Sequence, residues 1–592
     1  MTQQQRTVAA IQTAIRLAQS GRVPDAIRML ASGADGVLAH PGGCDTLGRL
    51  YFQTGQMEPA LRAFEAAVQL APAFADGHVN RGVALQELGR NAEALAAYDT
   101  ALRHAPKNPT AHFNRGNILK LLGRQDESVQ AFTSALALAP ATNDIRVNRA
   151  RVHLDRRDYA AALADFDAVL AEEPNNVDAA VGRATALFRQ ADLAGASSAI
   201  DRALAVAPER VDAGLIRGRI LLALGRDDDA LAVFAGLEGK PGAGVKPQIF
   251  RSAILTQLGR DAEALSVAED AVRLDPRDSQ AHETLAVILL ATGSYARGFR
   301  EMEHRLAHAR RNEGLAGVPL WRGEPVAGKR IAIVAEQGIG DTIQFLRYAG
   351  RLAEDGADVV GVVPKPVLSV ARSYPGGIAW VADPRDAGKV DWQVPVLSLP
   401  QRFGTTLATV PADTPYLFAD PERVAHWRSA IGDGGFRVGI NWQGNPAYEN
   451  DRRRSVPLAM FAPLAALHGV RLVSLQAVNG LDQLAALPAG MKVETLGVRV
   501  SDNPDGLAEI AAAIATLDLV VTSDTAVAHL AGAMSAPVWV ALGNAPDWRW
   551  GRSGTTSPWY PTMRLFRQKT AGDWPDVFAA IAAALAGEIL RR

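Results

Sequence analysis

The sequence predicts an α-helical solenoid followed by an α/β region of two Rossmann-like lobes. One observation is a 34-residue periodicity in the first half. The other is an alternation of short apolar runs, glycine loops and helix-like stretches in the second half. The predicted domains are a solenoid over 1–308, a linker over 309–328, a first lobe over 329–428, and a second lobe over 429–592 with a final cross-over helix.

The periodicity is clearest in the glycines, seven of which fall on one series of step 34: Gly21, Gly55, Gly89, Gly123, Gly225, Gly259 and Gly293. Arg157 and Ala191 take the two missing places. A small residue follows five positions later, an aromatic residue often follows nine later, and a proline commonly follows seventeen later. This order fits two helices joined by a glycine turn, packed closely at the small residue and ended by proline. Such units bury their apolar faces only by stacking on each other.

This pattern resembles the tetratricopeptide repeat, in about nine units. Asn80, Asn114 and Asn148 share one slot on the first helix of three consecutive units, and in this repeat the first helices line the inner groove. An amide side chain both donates and accepts, so a ladder of them can hold an extended polypeptide. The alternative is that each asparagine caps or bridges neighbouring helices. The ladder also resembles the repeat arm of the protein O-GlcNAc transferase family, which implies a bound acceptor protein.

The composition excludes several classes of function. Basic and acidic residues nearly cancel, 62 against 63, so nucleic acid is not expected as a main partner. Cys44 is the only cysteine, which excludes an intramolecular disulfide and a cysteine-based metal site. We see no secretory signal and no apolar run long enough for a membrane span, so a cytoplasmic protein is expected.

In the first lobe, the apolar run 329–335 is followed by Gly338, Gly340 and a helix-like stretch. Glycines allow close backbone approach, and a helix start offers free amide donors, so Gly338 and Gly340 are expected to contact the donor. Asp341 would stand at the mouth of the cleft, either as a general base or as a plain helix cap. The loop resembles the Gly-Asp loop of heptosyltransferase-like glycosyltransferases, in which the matching aspartate is the proposed base.

In the second lobe, a hydroxyl-rich turn follows the predicted strand 519–522 and opens a helix. The hydroxyls of Ser523 and Thr525, with the helix-start amides, can hold a diphosphate. Asp524 would repel phosphate, so it is expected to bind a ribose or sugar hydroxyl or to cap the helix. His529 faces the cleft or is a packing histidine. The segment resembles the corresponding segment of the heptosyltransferase-like enzymes, and Thr522 joins the expected donor-binding set.

Two further segments are candidates for donor contacts. Arg454 lies three residues before Pro457, where the related enzymes have a basic residue that contacts phosphate, and Asn441 lies in the predicted strand 437–442 before it. The sequence leaves open which arginine of 452–454 faces the cleft. The aromatic motifs 547–550 and 557–561 suit either stacking on a base or sugar ring or packing of a loop between the lobes.

The whole chain resembles a bacterial group of tetratricopeptide-repeat glycosyltransferases that includes the flagellin glycosyltransferases. The resemblance implies a GT-B fold and inverting transfer, without metal or cofactor, from a nucleotide sugar to Ser or Thr of a protein. In the flagellin version the sugar is a nonulosonic acid such as pseudaminic acid, carried by cytidine monophosphate. Two alternatives remain: a glycan or lipid acceptor with the repeats recruiting a partner, and a non-catalytic adaptor.

Overall fold

The computed structural model describes residues 1–307, 313–336, 338–446, 451–497 and 503–591, apart from the side chains of residues 313 and 452. It comprises two compact units, Met1–Leu237 and Glu238–Arg592. The first unit is helical. The second contains four further repeat helices and the whole α/β region.

Residues 1–302 form nine consecutive helix pairs. In the first unit the helices are α1 Gln3–Gln19, α2 Val23–Ala31, α3 Pro41–Gln53, α4 Met57–Leu70, α5 Ala75–Glu87, α6 Asn91–His104, α7 Pro109–Leu121, α8 Gln125–Leu138, α9 Asn143–Asp155, α10 Tyr159–Glu172, α11 Val177–Arg189, α12 Leu193–Val206, α13 Val211–Ala223 and α14 Asp227–Leu237. In the second unit they are α15 Lys246–Gln257, α16 Asp261–Leu274, α17 Ser279–Ala291 and α18 Tyr295–Met302.

The turn of each repeat has the predicted left-handed backbone. All seven glycines of the series have φ between +73° and +86°. The replacements keep this conformation, with φ of +62° at Arg157 and +63° at Ala191. The turn geometry therefore belongs to the repeat, and two units form it without glycine.

Packing inside the repeats depends on glycines of the first helix that the period-34 pattern did not single out. A Cβ added at Gly82 would lie 2.5 Å from the ring of Tyr98, and one at Gly218 would lie 2.4 Å from the ring of Phe234. Both rings are fully buried. The periodic aromatic thus packs onto bare backbone of the preceding helix, which sets how closely the two helices approach.

The first lobe has a four-stranded parallel sheet in the order β3-β2-β1-β4. The predicted long helix after β1 is divided into two shorter ones. The elements are β1 Arg330–Val334, α19 Ile339–Phe345, α20 Tyr348–Glu354, β2 Asp358–Val362, α21 Lys365–Ala371, β3 Ala379–Val381, β4 Trp392–Pro395 and α22 Leu399–Arg402.

The second lobe has a six-stranded parallel sheet in the order β10-β9-β8-β5-β6-β7. Its elements are α23 Pro421–Ile431, β5 Phe436–Asn441, α24 Asp451–Arg454, α25 Ala462–Ala465, β6 Val470–Ser474, β7 Val493–Thr495, α26 Gly506–Ile514, β8 Leu519–Ser523, α27 Ala526–Ala533, β9 Val538–Leu542, β10 Met563–Arg567 and α28 Trp574–Arg591.

The last helix does not have the expected cross-over packing. Its buried residues Phe578, Ile581 and Leu585 join the core of the second lobe, with Ile440 and Phe461. The amphipathic pattern identified the helix but not the surface that it covers, because the same apolar stripe suits either lobe.

Candidate active site between the two lobes

The Gly-Asp loop places Asp341 at the carboxyl end of β1, on the third residue of α19. Its Oδ2 accepts the backbone N–H of Gly338 at 3.2 Å, so the helix-cap interpretation describes a real contact. Its Oδ1 accepts from the guanidinium of Arg549, which belongs to the second lobe. The carboxylate is 19% exposed. Capping and access to the cleft therefore coexist, and the role of Asp341 as a base stays a prediction.

Gly340 is a contact point between the lobes. A Cβ added there would lie 2.8 Å from His529 Cδ2 and 3.6 Å from the Cα of Ala526. The absence of a side chain lets α19 approach α27, whereas a Cβ at Gly338 would meet only the Asp341 carboxylate, at 3.5 Å. The two glycines of the loop thus have different tasks: one permits packing and the other supplies an amide donor.

The hydroxyl-rich turn after β8 forms a hydrogen-bonded network with the end of β5. Asn441 Oδ1 accepts from the Thr525 hydroxyl at 2.8 Å and from the Thr522 hydroxyl at 3.4 Å. The Asn441 amide donates to Gln476 at 2.9 Å. Among the described residues, the buried Ser523 hydroxyl has no hydrogen-bond partner, and an oxygen ligand would satisfy it. Gln476 was not singled out by the sequence, because an isolated glutamine carries no pattern.

Asp524 lies in this turn with a perturbed acidity. Burial, reinforced by the Asp547 carboxylate, raises the pKa of Asp524 to about 6, against the opposing effect of Arg454. Arg454 is 28% exposed and donates to Asp451 at 3.0 Å. Arg454 therefore lies near enough to Asp524 to act on its charge, and its contact with a donor phosphate stays a prediction.

The other members of that run lie elsewhere or are undescribed. Arg453 donates to the backbone carbonyl of Gln257, on a repeat helix, at 3.4 Å. The side chain of Arg452 and all of Asn450 fall outside the described residues. Only the tertiary structure distinguishes Arg453 from Arg454, since adjacent residues of a short helix point in different directions.

His529 has the environment of a packing histidine. It is 5% exposed, its Nδ1 lies 3.0 Å from the Tyr560 hydroxyl, and its ring stacks on Trp550 at 5.2 Å. Burial, followed by the nearby Arg549, Arg347 and Arg454 guanidinium groups, holds its pKa well below the usual value. A neutral imidazole at this position helps to join the lobes.

The aromatic motifs are packing elements. Trp548, Trp550, Trp559 and Tyr560 are all 4% exposed or less, which leaves no open ring face for a nucleobase or sugar. Of the two interpretations, packing of a loop between the lobes is the one that the structure shows. Arg549, between the two tryptophans of the first motif, is, like Gln476, a polar residue of the site that the predicted donor set omitted.

The last repeat packs into the same region of the second unit. Tyr295 accepts a hydrogen bond from Trp559 Nε1 at 3.2 Å, and the Phe299 ring meets Trp548 edge-on at 5.7 Å. Arg552 pairs with Asp261 of α16 at 2.9 Å. Repeat helices of the second unit thus support the aromatic segment 547–561 beside the candidate site.

The asparagine ladder belongs to the first unit, where all three side chains are half-buried. The Asn80 amide donates to Asp45 of the preceding repeat at 2.8 Å, and the Asn148 amide donates to the Asp144 carbonyl of its own helix at 2.8 Å. Asn114 has the same position on α7. A cavity of about 400 Å³ lies beside Asn80. The Asn80 amide thus bridges two repeats, as the alternative interpretation expects, whereas the Asn148 amide bonds within its own helix. A ligand would have to share or replace these bonds.

A smaller cavity of about 220 Å³ lies beyond the carboxyl ends of β6 and β7. Leu475, Leu484, Leu496 and Ile510 give it mainly apolar walls, and Gln476 contributes to its lining. This edge of a parallel sheet is where doubly wound folds place ligands.

One group of potential metal ligands occurs in the described part of the chain, at His282, Glu301 and His304. The two imidazole rings stack at 3.5 Å with an angle of 2° between their planes. Their in-plane lone pairs therefore run parallel instead of converging on one ion, and His282 Nδ1 already lies 2.6 Å from the Glu301 carboxylate. This arrangement is that of a close His282–Glu301 contact covered by the stacked His304 ring.

Models of two kinds of protein family match the chain. Tetratricopeptide-repeat models match residues 48–89, 79–142, 147–196, 181–244 and 255–303. The model of glycosyltransferase family 9 (heptosyltransferase) matches residues 468–571, which include β8, the hydroxyl-rich turn, α27 and Arg549. These matches confirm the predicted fold class, a tetratricopeptide-repeat solenoid followed by a GT-B-like α/β region, and support a bacterial tetratricopeptide-repeat glycosyltransferase.

Among curated proteins, the chain is similar to Protein FlbA of Caulobacter vibrioides, with 27% identity over 323 residues. That alignment covers 51% of this chain and 54% of FlbA, so the chain spans about half the length of this relative. Among solved structures, it is similar to a tetratricopeptide repeat protein from Parabacteroides merdae, with 18% identity, coverage of 42% and 98% of the two chains, and a TM-score of 0.38. It is also similar to PilF of Pseudomonas aeruginosa, with 22% identity, coverage of 36% of this chain and 97% of PilF, and a TM-score of 0.32.

In the described residues, no helix is both long and apolar enough to cross a lipid bilayer.

Proposed function

We propose that this chain is an inverting, metal-independent glycosyltransferase that transfers a sugar from a nucleotide-sugar donor to Ser or Thr of a protein held by its repeats. One observation carries the proposal. The carboxyl ends of β1 and β8 bring Asp341 and the hydroxyl-rich turn to one cleft, in which Arg549 and Arg454 lie among three carboxylates. The family 9 match covers the part of the cleft formed by the second lobe.

Donor binding follows from the second lobe. The α27 amides, the free Ser523 hydroxyl and Arg454 would hold the donor phosphate, with the helix dipole favouring its charge. Asp524 would accept from a ribose or sugar hydroxyl. The apolar cavity beyond β6 and β7 would take the nucleobase, which leaves the sugar near Asp341.

Transfer requires an acceptor hydroxyl beside Asp341. The carboxylate would take the hydroxyl proton as the oxygen attacks the anomeric carbon, and the phosphate would leave with the electron pair of the broken bond. Arg454 would stabilise the charge on the departing phosphate. Proton acceptance and leaving-group stabilisation then come from side chains, so the scheme needs no metal ion.

For the acceptor we propose flagellin, in the cytoplasm, with a nonulosonic sugar such as pseudaminic acid carried by cytidine monophosphate. The support is the combination of tetratricopeptide repeats, a class used for protein interaction, with the family 9 domain. Asn80, Asn114 and Asn148 would contact the acceptor backbone through amides that exchange their present bonds for new ones.

The test is the intact mass of flagellin from cells with and without this chain, followed by transfer with the purified proteins. We expect a mass increase with wild type and none with Asp341→Asn, whereas Asp386→Asn, an exposed carboxylate of the same lobe, should behave as wild type. An unchanged flagellin mass would exclude flagellin. A chain that binds no nucleotide would exclude the glycosyltransferase itself.

A second variant separates acceptor binding from donor chemistry. The triple substitution of Asn80, Asn114 and Asn148 by alanine should reduce transfer to the protein and leave donor hydrolysis unchanged. Equal transfer by the triple variant and wild type would show that the ladder only bridges helices.

A further inference from the structure

Arg549 makes a three-way contact that no other described arginine of the cleft makes. Its Nε donates to the Gln344 side chain at 2.7 Å, one terminal nitrogen donates to Asp547 at 2.8 Å, and the other donates to Asp341. A guanidinium is planar and offers its donors in a fixed fork, so three in-plane acceptors define its orientation.

The contact crosses the lobe interface. Asp341 and Gln344 stand three residues apart on α19 of the first lobe, on adjacent turns of one helix face. Arg549 and Asp547 come from the loop after β9 in the second lobe. The guanidinium therefore fixes the helix that carries Asp341 relative to the donor-binding turn.

Burial makes this contact strong. Arg549 is 8% exposed, and its guanidinium carbon lies 4.4 Å from the centre of the Trp548 ring and 5.9 Å from that of Phe345. Burial opposes its charge, but the carboxylates of Asp341 and Asp547 raise its pKa above the usual value. It stays protonated throughout the working range of pH. The charge on Asp341 thus always has its partner.

The contacts leave Asp341 able to react. A carboxylate offers about four lone-pair positions. The Gly338 amide uses one on Oδ2, and Arg549 uses one on Oδ1. The remaining positions can accept a proton from a hydroxyl, with the carboxylate held in one orientation.

We propose that Arg549 is a positioning residue, which orients the Asp341 carboxylate toward the acceptor hydroxyl from across the lobe interface. This rests on the glycosyl transfer proposed above. Arg549 does not touch the reacting atoms. It acts through Asp341, so its effect falls on turnover and not on donor affinity. The Trp548 ring packs against the Arg549 guanidinium, and it also contacts Phe299 of the last repeat.

The test is a double-mutant cycle in the full chain with Asp341→Asn, Arg549→Met and the double variant, each assayed for kcat and donor KM. We expect Arg549→Met to lower kcat about 100-fold, the effect of roughly 1 Å of misplacement, with donor KM changed less than threefold. In the Asp341→Asn background the same substitution should lower kcat no further. Arg564→Met, an exposed arginine of the same lobe, is the control and should keep wild-type kinetics.

Arg549→Lys is a second variant that is expected to fold, because lysine keeps a positive charge between the carboxylates. It tests the geometry, since an ammonium group cannot satisfy three in-plane acceptors. We expect a kcat loss of at least about tenfold with wild-type tryptophan emission. Full kcat in this variant, additive losses in the cycle, or a raised donor KM at unchanged kcat would each overturn the assignment. If wild type turns over no donor, the proposed function fails, and the assignment fails with it. If wild type turns over the donor but the two losses are additive, only the positioning role of Arg549 is excluded.

Discussion

The contact of Gly340 with His529 gives a sharp test of how the lobes meet. In Gly340→Ala the new Cβ would lie 2.8 Å from His529 Cδ2, about 1 Å closer than a favourable carbon–carbon contact. The imidazole cannot easily move away, because it is held by the Tyr560 hydroxyl at 3.0 Å and by the Trp550 ring. Overpacking of this kind costs about 1–3 kcal/mol. Greater helix propensity returns at most about 1 kcal/mol, and subtracting this full gain leaves an expected net loss of unfolding free energy of about 0–2 kcal/mol.

The chain offers a matched control and a selective probe. Gly587 lies within α28, where an added Cβ has only Arg591 nearby, at 3.9 Å, so Gly587→Ala should gain up to about 1 kcal/mol. All ten tryptophans lie in the second unit, between Trp321 and Trp574, so urea unfolding followed by tryptophan emission reports that unit in the full chain. If Gly340→Ala is as stable as Gly587→Ala, then α19 and α27 do not meet as described.

Three further predictions concern other parts of the chain. Ala191→Gly should stabilise the first unit by about 1 kcal/mol, because glycine adopts the left-handed backbone at φ +63° without the strain that alanine has there. Thermal unfolding followed by helical circular dichroism would measure this. An unchanged or lower midpoint temperature would contradict it. The raised pKa of Asp524, about 6, means that protonation stabilises the fold: this contribution is complete below the unfolded-state value near 4 and is lost as the pH rises through 6. Asp524→Asn should thus have a higher unfolding free energy in urea than wild type at pH 7, and this difference should disappear toward pH 4. If the two proteins lose stability in parallel as the pH changes, the pKa of Asp524 is not raised. Tyr295→Phe should destabilise the second unit by about 1 kcal/mol, since it leaves Trp559 Nε1 buried without its acceptor; wild-type urea stability by tryptophan emission would show that this bond contributes nothing.

The repeat architecture could be predicted from the order of residues along the chain. Periodic glycines, small residues and aromatics act within about 34 residues of each other, so local spacing specifies the helix pair and its turn. The same local logic located β1 and β8 and the loops that follow them, because an apolar run followed by a glycine or hydroxyl turn has a short-range signature. Even the turns at Arg157 and Ala191 were implied by their place in the series.

Contacts between residues far apart in sequence could not be predicted in this way, because they depend on how the two lobes pack. Asp341 and Arg549 are 208 positions apart, and their contact depends on two lobes closing at the distance that Gly340 permits. Arg453 and Arg454 are neighbours in sequence, yet Arg453 donates to a repeat helix and Arg454 donates to Asp451. The sequence of the aromatic motifs suits both ligand stacking and packing between the lobes, and only their burial in the structure identifies packing. Residue spacing along the chain predicts local backbone geometry. The contact partners, the burial and the charge environment of a side chain are set only when distant segments pack into one core.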